Sequence, residues 1–268
     1  MRFLDLSGLK RPQGYEMELA ALPKEILMAE YAMAKAFAIN DLVRSVHKGS
    51  YEWYGYTIGN LEKPELIVDI GLPANDRNVP DYTSVTPERI AEFRESLPRE
   101  SIINGWIHSH GDLDFQGFSR TDEKNQITVL DFVTALMRKR VAKREVTIQD
   151  LVLLVKGRYG ERELEGGSVS LITDVPVGEA RIWEAVFGGF CYSIVIGDSG
   201  WHRQEIHYRK RGILSGHTTT ETKDAQAVLV GTGRVLAPQD FDVLREEVRE
   251  KILPTARSPR ERYEKECT

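Results

Sequence analysis

Two histidines separated by a single residue, His108 and His110, are the side chains of the sequence best placed for chemistry. They end an apolar stretch that is predicted to be a β-strand. Because strand side chains alternate with a period of two, both imidazoles point to the same face. Two imidazole nitrogens on one face can bind one metal ion, but the same spacing also occurs where two histidines cap loops by hydrogen bonds. The pair indicates a metal site without establishing one.

A second polar pattern follows the histidines, with Ser119 three residues before Asp122. Ser-x-x-Asp before an apolar stretch is typical of a capping box, in which the serine accepts from the third helical amide and the carboxylate reaches back. The intervening loop is also short enough to fold Asp122 onto the two histidines. Two histidines and one carboxylate, with the fourth position left to water, form the ligand set of a hydrolytic zinc site. Zinc lowers the pKa of that water to about 7, which makes it a strong nucleophile.

Such a site also needs a base, and Glu52 is the candidate. It lies in the segment SYEWYGYTIG, which is predicted to be a strand from Tyr51 to Ile58 and in which a carboxylate is unexpected. A glutamate near the start of a strand also occurs simply as a residue that faces solvent. Glu52 therefore stays an open candidate on its local sequence alone.

The elements that position these residues are predicted from hydrophobic periodicity. Apolar residues spaced by three and four predict a helix from Pro23 to about His47. The other predicted strands are 66–72, 101–110, 150–156, 168–175, 190–196, 201–208 and 225–236, and the other predicted helices are 86–97, 119 onward through the basic segment 137–144, and 241–252. This mixture predicts an α/β fold with a mixed or largely antiparallel sheet.

Composition excludes several classes of protein. A net charge of −5 over 268 residues, with a pI of about 5.8, argues against general nucleic-acid binding, which needs clustered basic residues. Two cysteines, Cys191 and Cys267, make no disulfide framework, and no signal peptide or membrane-spanning stretch is visible. We therefore expect a cytoplasmic protein without membrane or nucleic-acid partners, and a chain of this size also has room for a homodimer face.

The remaining four histidines are expected to be structural or exposed, because no residue around them completes a site. They are His47 at a predicted helix end, His202 and His207 on a predicted strand, and His217 in a Ser/Thr-rich segment that is predicted to be a turn.

Taken together, Glu52, W-x-H-S-H at 106–110 and S-x-x-D at 119–122 resemble the signature of the JAMM (MPN-plus) metalloprotease family, a glutamate followed by H-x-H and S-x-x-D. The segments EWYGYTIG and NGWIHSHGD are similar to that family's strand around the glutamate and its strand before the histidines. The resemblance covers 50–135 by motif and 23–236 more loosely by element order. It implies an α/β fold with a JAB1/MPN-like curved mixed β-sheet flanked by helices, a cytidine-deaminase-like sandwich.

The resemblance also implies a role for each motif residue. His108, His110 and Asp122 would bind one Zn²⁺ per chain. Glu52 would be the general base, and Ser119 would donate a hydrogen bond to the developing oxyanion. The implied reaction is hydrolysis of an amide, often the isopeptide bond at the C-terminus of a ubiquitin-like modifier. The implied organisation is an N-terminal extension at 1–22, a catalytic domain at 23–236 with an insertion at about 140–185, and a C-terminal helix with a charged tail at 237–268.

Two departures from the family pattern concern the loop after the histidines. Gly111 stands where the family commonly has proline, and eight residues rather than seven separate the second histidine from the serine. Gly111 and Gly117 can absorb the extra residue by adopting positive φ. Asp112 and Asp114 are alternative ligands, and Asp122 is preferred because it begins a helix that holds it rigidly.

The substrate is less defined than the metal site. In relatives, a flap between the second strand and the next helix binds the extended modifier tail by strand addition, and 74–86 is the expected counterpart. The alternatives are a non-catalytic MPN scaffold, which typically loses the glutamate or the histidines, and a zinc hydrolase of another amide, such as a sulfur-carrier conjugate. A DNA-associated relative is disfavoured by the net negative charge.

Overall fold

The structure, a computed structural model, describes residues 18–74, 78–79, 82–83, 86–113, 115–151 and 177–254. The described helices are α1 Glu30–His47, α2 Pro87–Ser96, α3 Arg120–Leu136 and α4 Pro238–Lys251. The described strands are β1 Ile26–Ala29, β2 Tyr54–Asn60, β3 Leu66–Ile67, β4 Asp69–Gly71, β5 Asn78–Val79, β6 Tyr82–Thr83, β7 Ser101–Ser109, β8 Lys139–Leu151, β9 Val177–Ile196, β10 His202–Gly212, β11 Thr218–Ala225 and β12 Ala227–Val230.

The main sheet has seven strands in the order β11-β10-β9-β7-β2-β4, with β8 also paired to β9. Its centre is β7, which runs antiparallel to β2 and parallel to β9. Eight of the nine residues of β7 are buried, as expected of a strand enclosed on both faces. The sheet is therefore mixed, and the predicted α/β class is confirmed.

Helices cover the sheet and close the core. Helix α3 packs against β7 and β9, and α1 packs against α4. Large aromatic side chains fill the space between these layers, and the fully buried ones are Trp53, Tyr54, Tyr56, Trp106 and Tyr192. Burial of aromatic rings contributes strongly to stability, because each removes a large apolar area from water. The core therefore holds rigidly the centre of the sheet, where β2 and β7 meet.

A second sheet of three parallel strands, β12-β1-β3, corrects one predicted helix boundary. The helix expected from Pro23 begins at Glu30, because Ile26–Ala29 form β1 and pair with both β12 and β3. Only Glu30 separates the apolar residues of β1 from those of α1, so periodicity alone does not separate the two elements. The predicted end at His47 is confirmed, and Lys48 follows it with a left-handed φ of 56°.

The chain after α3 differs more from the prediction. The helix ends at Leu136, and the basic segment at 139–144 belongs to β8 rather than to a helix end. Strand β8 forms a long antiparallel ladder with the first part of β9, from Lys139 opposite Gly188 to Leu151 opposite Val177. The predicted strand at 168–175 and most of the one at 150–156 lie outside the described residues.

Several other predicted elements are confirmed. Helix α2 begins after Thr86, whose side chain accepts a hydrogen bond from the Arg89 amide, with Pro87 at the first helical position. The hairpin of β9 and β10 turns at 197–200, and α4 closes the described chain. The Ser/Thr-rich segment after 217, predicted to be a turn, is the edge strand β11.

None of the four helices in the described ranges is both long enough and apolar enough to span a membrane.

Candidate metal centre

Strand pairing places the two histidines of the H-x-H motif on one face at the end of β7. His108 lies opposite Tyr54 of β2 and opposite Val195 of β9. Beyond the strand end, the His110 amide donates to the Ile196 carbonyl at 3.0 Å, so His110 is still held by β9. Ser109, between the two, points to the other face. The prediction that both imidazoles share a face is confirmed.

Three potential ligands converge at this point: His108, His110 and Asp122. The His108 Nε2 atom lies 3.2 Å from the His110 Nε2 and 3.2 Å from Asp122 Oδ1. The His110 Nε2 lies 3.3 Å from Asp122 Oδ2. All three side chains are buried, and one ligand atom from each lies within 4.8 Å of the others. Two imidazole nitrogens and a carboxylate oxygen at this spacing can hold a metal ion.

Neighbouring groups fix the orientation of both rings. His110 Nδ1 lies 2.8 Å from the Phe115 carbonyl, which only accepts, so Nδ1 carries the hydrogen and Nε2 is left to face the cluster. The Phe115 ring also stacks on His110, and the Trp106 ring stacks on His108 at 4.5 Å between centroids. A second hydrogen bond that orients a ligating histidine is the usual arrangement in metal sites. His108 Nδ1 has no hydrogen-bond partner among the described residues.

The charges of the cluster suit a cation. Burial lowers the pKa of His108, although the Asp122 carboxylate opposes this effect, so the imidazole is neutral and its lone pair is available. Burial on its own would raise the pKa of Asp122. The nearby His108, the contacts of both histidines with the carboxylate and the hydrogen bond from the Ser119 amide outweigh it, so the pKa of Asp122 falls below its usual value. An ionised carboxylate beside the neutral imidazole of His108 favours a cation at this point.

The capping box at the start of α3 also positions the carboxylate ligand. The Ser119 amide donates to Asp122 Oδ2 at 2.6 Å, and the Asp122 amide donates to Ser119 Oγ at 3.2 Å. The two interpretations of S-x-x-D are therefore compatible, because the same contacts that start the helix hold Asp122 against the histidines. Ser119 Oγ accepts in this bond, so its hydroxyl hydrogen takes no part in it.

Glu52 lies on the same face as the cluster. The Ser109 amide donates to the Trp53 carbonyl at 2.9 Å, so pairing of the two chains continues past the first residue of β2. The register of β2 and β7 then places Glu52 opposite His110, and residues opposite each other in an antiparallel pair share a face. The Glu52 side chain is buried, with 7% of the residue exposed, which argues against the alternative of a solvent-facing glutamate.

The loop between the motifs shows how one of the departures is accommodated. Gly111 has a φ of 57°, as expected, whereas Gly117 does not adopt a positive φ. A Cβ at Gly111 would lie 2.5 Å from Ser50 Oγ. Both the positive φ and this short distance favour glycine at position 111. Asp112 is exposed and lies outside the ligand cluster, and Asp114 lies outside the described residues.

The other histidines do not join the cluster, as expected. His217 is exposed, and His207 Nδ1 pairs with Thr222 on the β10–β11 ladder. Cys191 is buried and burial raises the pKa of its thiol, so this cysteine is not a nucleophile. Ring positioning by Trp106 and Phe115 was not predicted from the sequence. The aromatic residue two positions before His108 was the available signal, since it shares the face of that strand.

The sequence matches no protein-family model and no curated protein. The resemblance to the JAMM family therefore stands on the five motif residues and on their spacing.

Proposed function

We propose that the chain is a zinc-dependent hydrolase of the JAMM type that cleaves an amide bond. The observation that carries the proposal is the buried cluster of His108, His110 and Asp122 with Glu52 on the same face of the sheet. Three protein ligands with room for one more are typical of catalytic rather than structural zinc sites. The JAB1/MPN-like form of the α/β fold belongs to the same proposal, and the mixed sheet flanked by helices supports it.

His108, His110 and Asp122 would hold the ion. A bound Zn²⁺ would supply Lewis acidity and lower the pKa of water to about 7. The chain supplies two imidazole nitrogens and a carboxylate, which are ligands that such an ion prefers, and the Phe115 carbonyl and the Ser119 amide orient His110 and Asp122. These contacts preorganise the donors, so that little rearrangement is needed when the ion binds.

Glu52 is the proposed proton carrier. Its buried carboxylate would accept a proton from the attacking water and pass it to the leaving amine, as a general base and then a general acid. Ser119 would donate its free hydroxyl hydrogen to the oxyanion that develops on the carbonyl. Both residues are linked to the ligands: the register of β2 and β7, continued by two residues, puts Glu52 opposite His110, and Ser119 bonds directly to Asp122.

A ubiquitin-like modifier, or its conjugate, is the proposed substrate. The segment at 74–86 contains the short antiparallel pair of β5 and β6 between β4 and α2. An extended modifier tail would add to such a segment by backbone hydrogen bonds. Deletion of 76–82 is expected to raise KM and lower kcat on a modifier conjugate, and unchanged kinetics would reject this role.

The proposal is tested by Glu52→Gln with Glu62→Gln as a matched control, since Glu62 is exposed in the loop after β2. We expect one zinc per chain in wild type and in both variants. Amide cleavage should be lost with a chelator and should fall by at least 100-fold in Glu52→Gln alone, because general-base catalysis contributes about 10²–10⁴-fold. Zinc retained without cleavage of any modifier conjugate or tail peptide would favour a scaffold or another amide substrate.

A further inference from the structure

The turn between β9 and β10 carries a carboxylate that reaches far beyond its own hairpin. Asp198 Oδ1 accepts a hydrogen bond from Asn40 Nδ2 of α1 at 2.7 Å. Its Oδ2 accepts from Ser50 Oγ at 2.8 Å and lies 3.4 Å from the Arg44 guanidinium. The carboxylate is 14% exposed, so solvent screens these contacts only partly. A turn needs no such side chain to form, and the partners of Asp198 are about 150 residues away in sequence.

These contacts end on both sides of Glu52. Ser50, two residues before it, bonds directly to Asp198. Trp53, the residue after it, donates its indole hydrogen to Asn40 Oδ1 at 3.0 Å, in a fully buried bond. The segment that carries Glu52 is thereby attached at two points to one carboxylate. A side chain held between two such points has little freedom to move along the strand direction.

The same residue also holds the histidine side of the cluster. The Asp198 amide donates to the carbonyl of Gly111, which directly follows His110, at 3.0 Å. Gly111 in turn packs against Ser50, whose Oγ occupies the space that a Cβ would need. One residue therefore connects the segment of the general base with the segment of a metal ligand.

We propose that Asp198 is a positioning residue that sets where Glu52 lies relative to His110; this inference rests on the proposed hydrolase function. Asp198 acts through Ser50 and Asn40 and touches none of the ligands among its recorded contacts. Its removal leaves the three ligands in place, since β7 and the capping box of α3 hold them. It removes the bond that holds Ser50 and the bond that fixes Asn40, so the segment at 50–53 keeps its pairing with Ser109 but loses its attachment to the turn. Misplacement of a catalytic group by about 1 Å can lower a rate by about 100-fold.

The test compares Asp198→Ala with Glu52→Gln and with the control Asp224→Asn, an exposed acid that pairs with Arg203 on the neighbouring edge of the sheet. Each protein is loaded with Co²⁺ in place of zinc. The number of Co²⁺ ions per chain, the Co²⁺ affinity and the visible absorption spectrum are measured. The kcat and KM values are measured for cleavage of a ubiquitin-like modifier conjugate. The double variant Glu52→Gln, Asp198→Ala completes a double-mutant cycle, which measures whether the two residues act together.

We expect Asp198→Ala to bind Co²⁺ within threefold of wild type, to shift the absorption bands as Glu52→Gln does, and to lower kcat about 10- to 100-fold with little change in KM. The double variant should have the spectrum of Glu52→Gln alone, because the carboxylate that Asp198 positions is then already absent. A residue that merely stabilises the turn would lower the melting temperature and leave the spectrum unchanged.

The failures of the two proposals are distinguishable. Absence of bound metal in wild type, or a Glu52→Gln variant that equals wild type, would reject the hydrolase function. An Asp198→Ala variant that matches Asp224→Asn in spectrum and kcat, while Glu52→Gln is affected, would reject only the positioning role. Should Asp198→Ala fail to fold, Ser50→Ala removes a single hydrogen bond to the same carboxylate and is judged by the same criteria.

Discussion

The Nε2 atoms of His108 and His110 lie 3.2 Å apart and both face Asp122. His110 donates its Nδ1 hydrogen to the Phe115 carbonyl, so Nε2 is the ring nitrogen that faces the cluster. Lone pairs and a carboxylate that converge on one point repel one another unless a proton or a cation lies among them. His108, His110 and Asp122 can therefore hold a cation at this point.

Zinc is expected to stabilise the fold through this cluster. At a free concentration of about 100 times its Kd, an ion that binds only the folded state adds about 2.7 kcal/mol to the free energy of unfolding, which raises Tm by about 5–10 °C. Thermal unfolding with and without zinc measures the shift. It should disappear in the variant His108→Ala, His110→Ala and persist in His217→Ala, because His217 is exposed. An equal shift in all three proteins would place the zinc elsewhere.

Replacement of Gly111 by alanine should destabilise the loop between the motifs. The left-handed φ of 57° costs a residue with a Cβ about 1–2 kcal/mol, and the Cβ would also displace Ser50 Oγ. We expect the free energy of unfolding of Gly111→Ala to fall by at least that amount, with weaker zinc binding. Urea titration and zinc competition measure the two effects.

The control for this substitution is Gly117→Ala in the same loop. Gly117 does not have a positive φ, and the nearest atom to its Cβ would be the far end of the Phe115 side chain, whose residue is 54% exposed. A change of less than about 0.5 kcal/mol is expected there. Equal effects of the two substitutions would show that backbone conformation at Gly111 is not the cause.

The three residues of the cluster were predictable because each depends on a local pattern. The i, i+2 spacing of His108 and His110 on a strand fixes their common face, and the capping box fixes Asp122 at the start of a helix. What joins the patterns is not local. Asn40 bonds both to Trp53 and to Asp198, which is 158 residues away, and no periodicity of a single segment predicts that they meet.

The errors in the predicted fold have a common physical origin. Periodicity indicates a strand only where one face differs from the other. In β11, all but the last residue are exposed, so this edge strand has no apolar face to recognise. In β8, the basic residues come in two pairs, 139–140 and 143–144, and this spacing of four is also compatible with a helix end. Pairing with β9 and β10, which is a long-range contact, decides both cases.

Hydrolysis should not depend on a thiol. Cys191 is 1% exposed and burial raises the pKa of its thiol, so little thiolate forms near neutral pH. Cys191→Ala is expected to retain the activity of wild type when both proteins are assayed at a temperature at which both are fully folded. Treatment of folded wild type with iodoacetamide should likewise leave activity unchanged, with Cys191 unmodified by mass spectrometry. Loss of activity that parallels modification of Cys191 would contradict a metal-based mechanism.

The stability of the fold should fall at acid pH because of Glu184, which is far in sequence from His108, His110 and Asp122. It is a buried glutamate of β9 that accepts from the amides of Leu214 and Ser215, both at 3.0 Å, and from Arg144 Nε at 2.9 Å. The Ser215 amide, with the other donors, outweighs burial and lowers the pKa of Glu184 from the usual 4.5 to about 2. The carboxylate thereby joins β8, β9 and the turn that follows β10.

The sign of the pH dependence follows from linkage. Between pH 4.5 and about 2 the unfolded chain binds a proton at Glu184 while the folded chain does not, so unfolding becomes more favourable as the pH falls. The stabilisation is complete above pH 4.5 and is lost towards pH 2. In Glu184→Gln, the side-chain NH₂ group would face the amides of Leu214 and Ser215 and the Arg144 guanidinium, which are all donors. The Tm of this variant should therefore be lower than that of wild type at neutral pH. The difference in Tm between wild type and this variant should then narrow below pH 4.5, as measured by circular dichroism. The control is Glu221→Gln, at an exposed residue of β11, and its Tm should be close to that of wild type at every pH.

A difference in Tm between wild type and Glu184→Gln that stays constant with pH would show that the Glu184 carboxylate is not the titrating group.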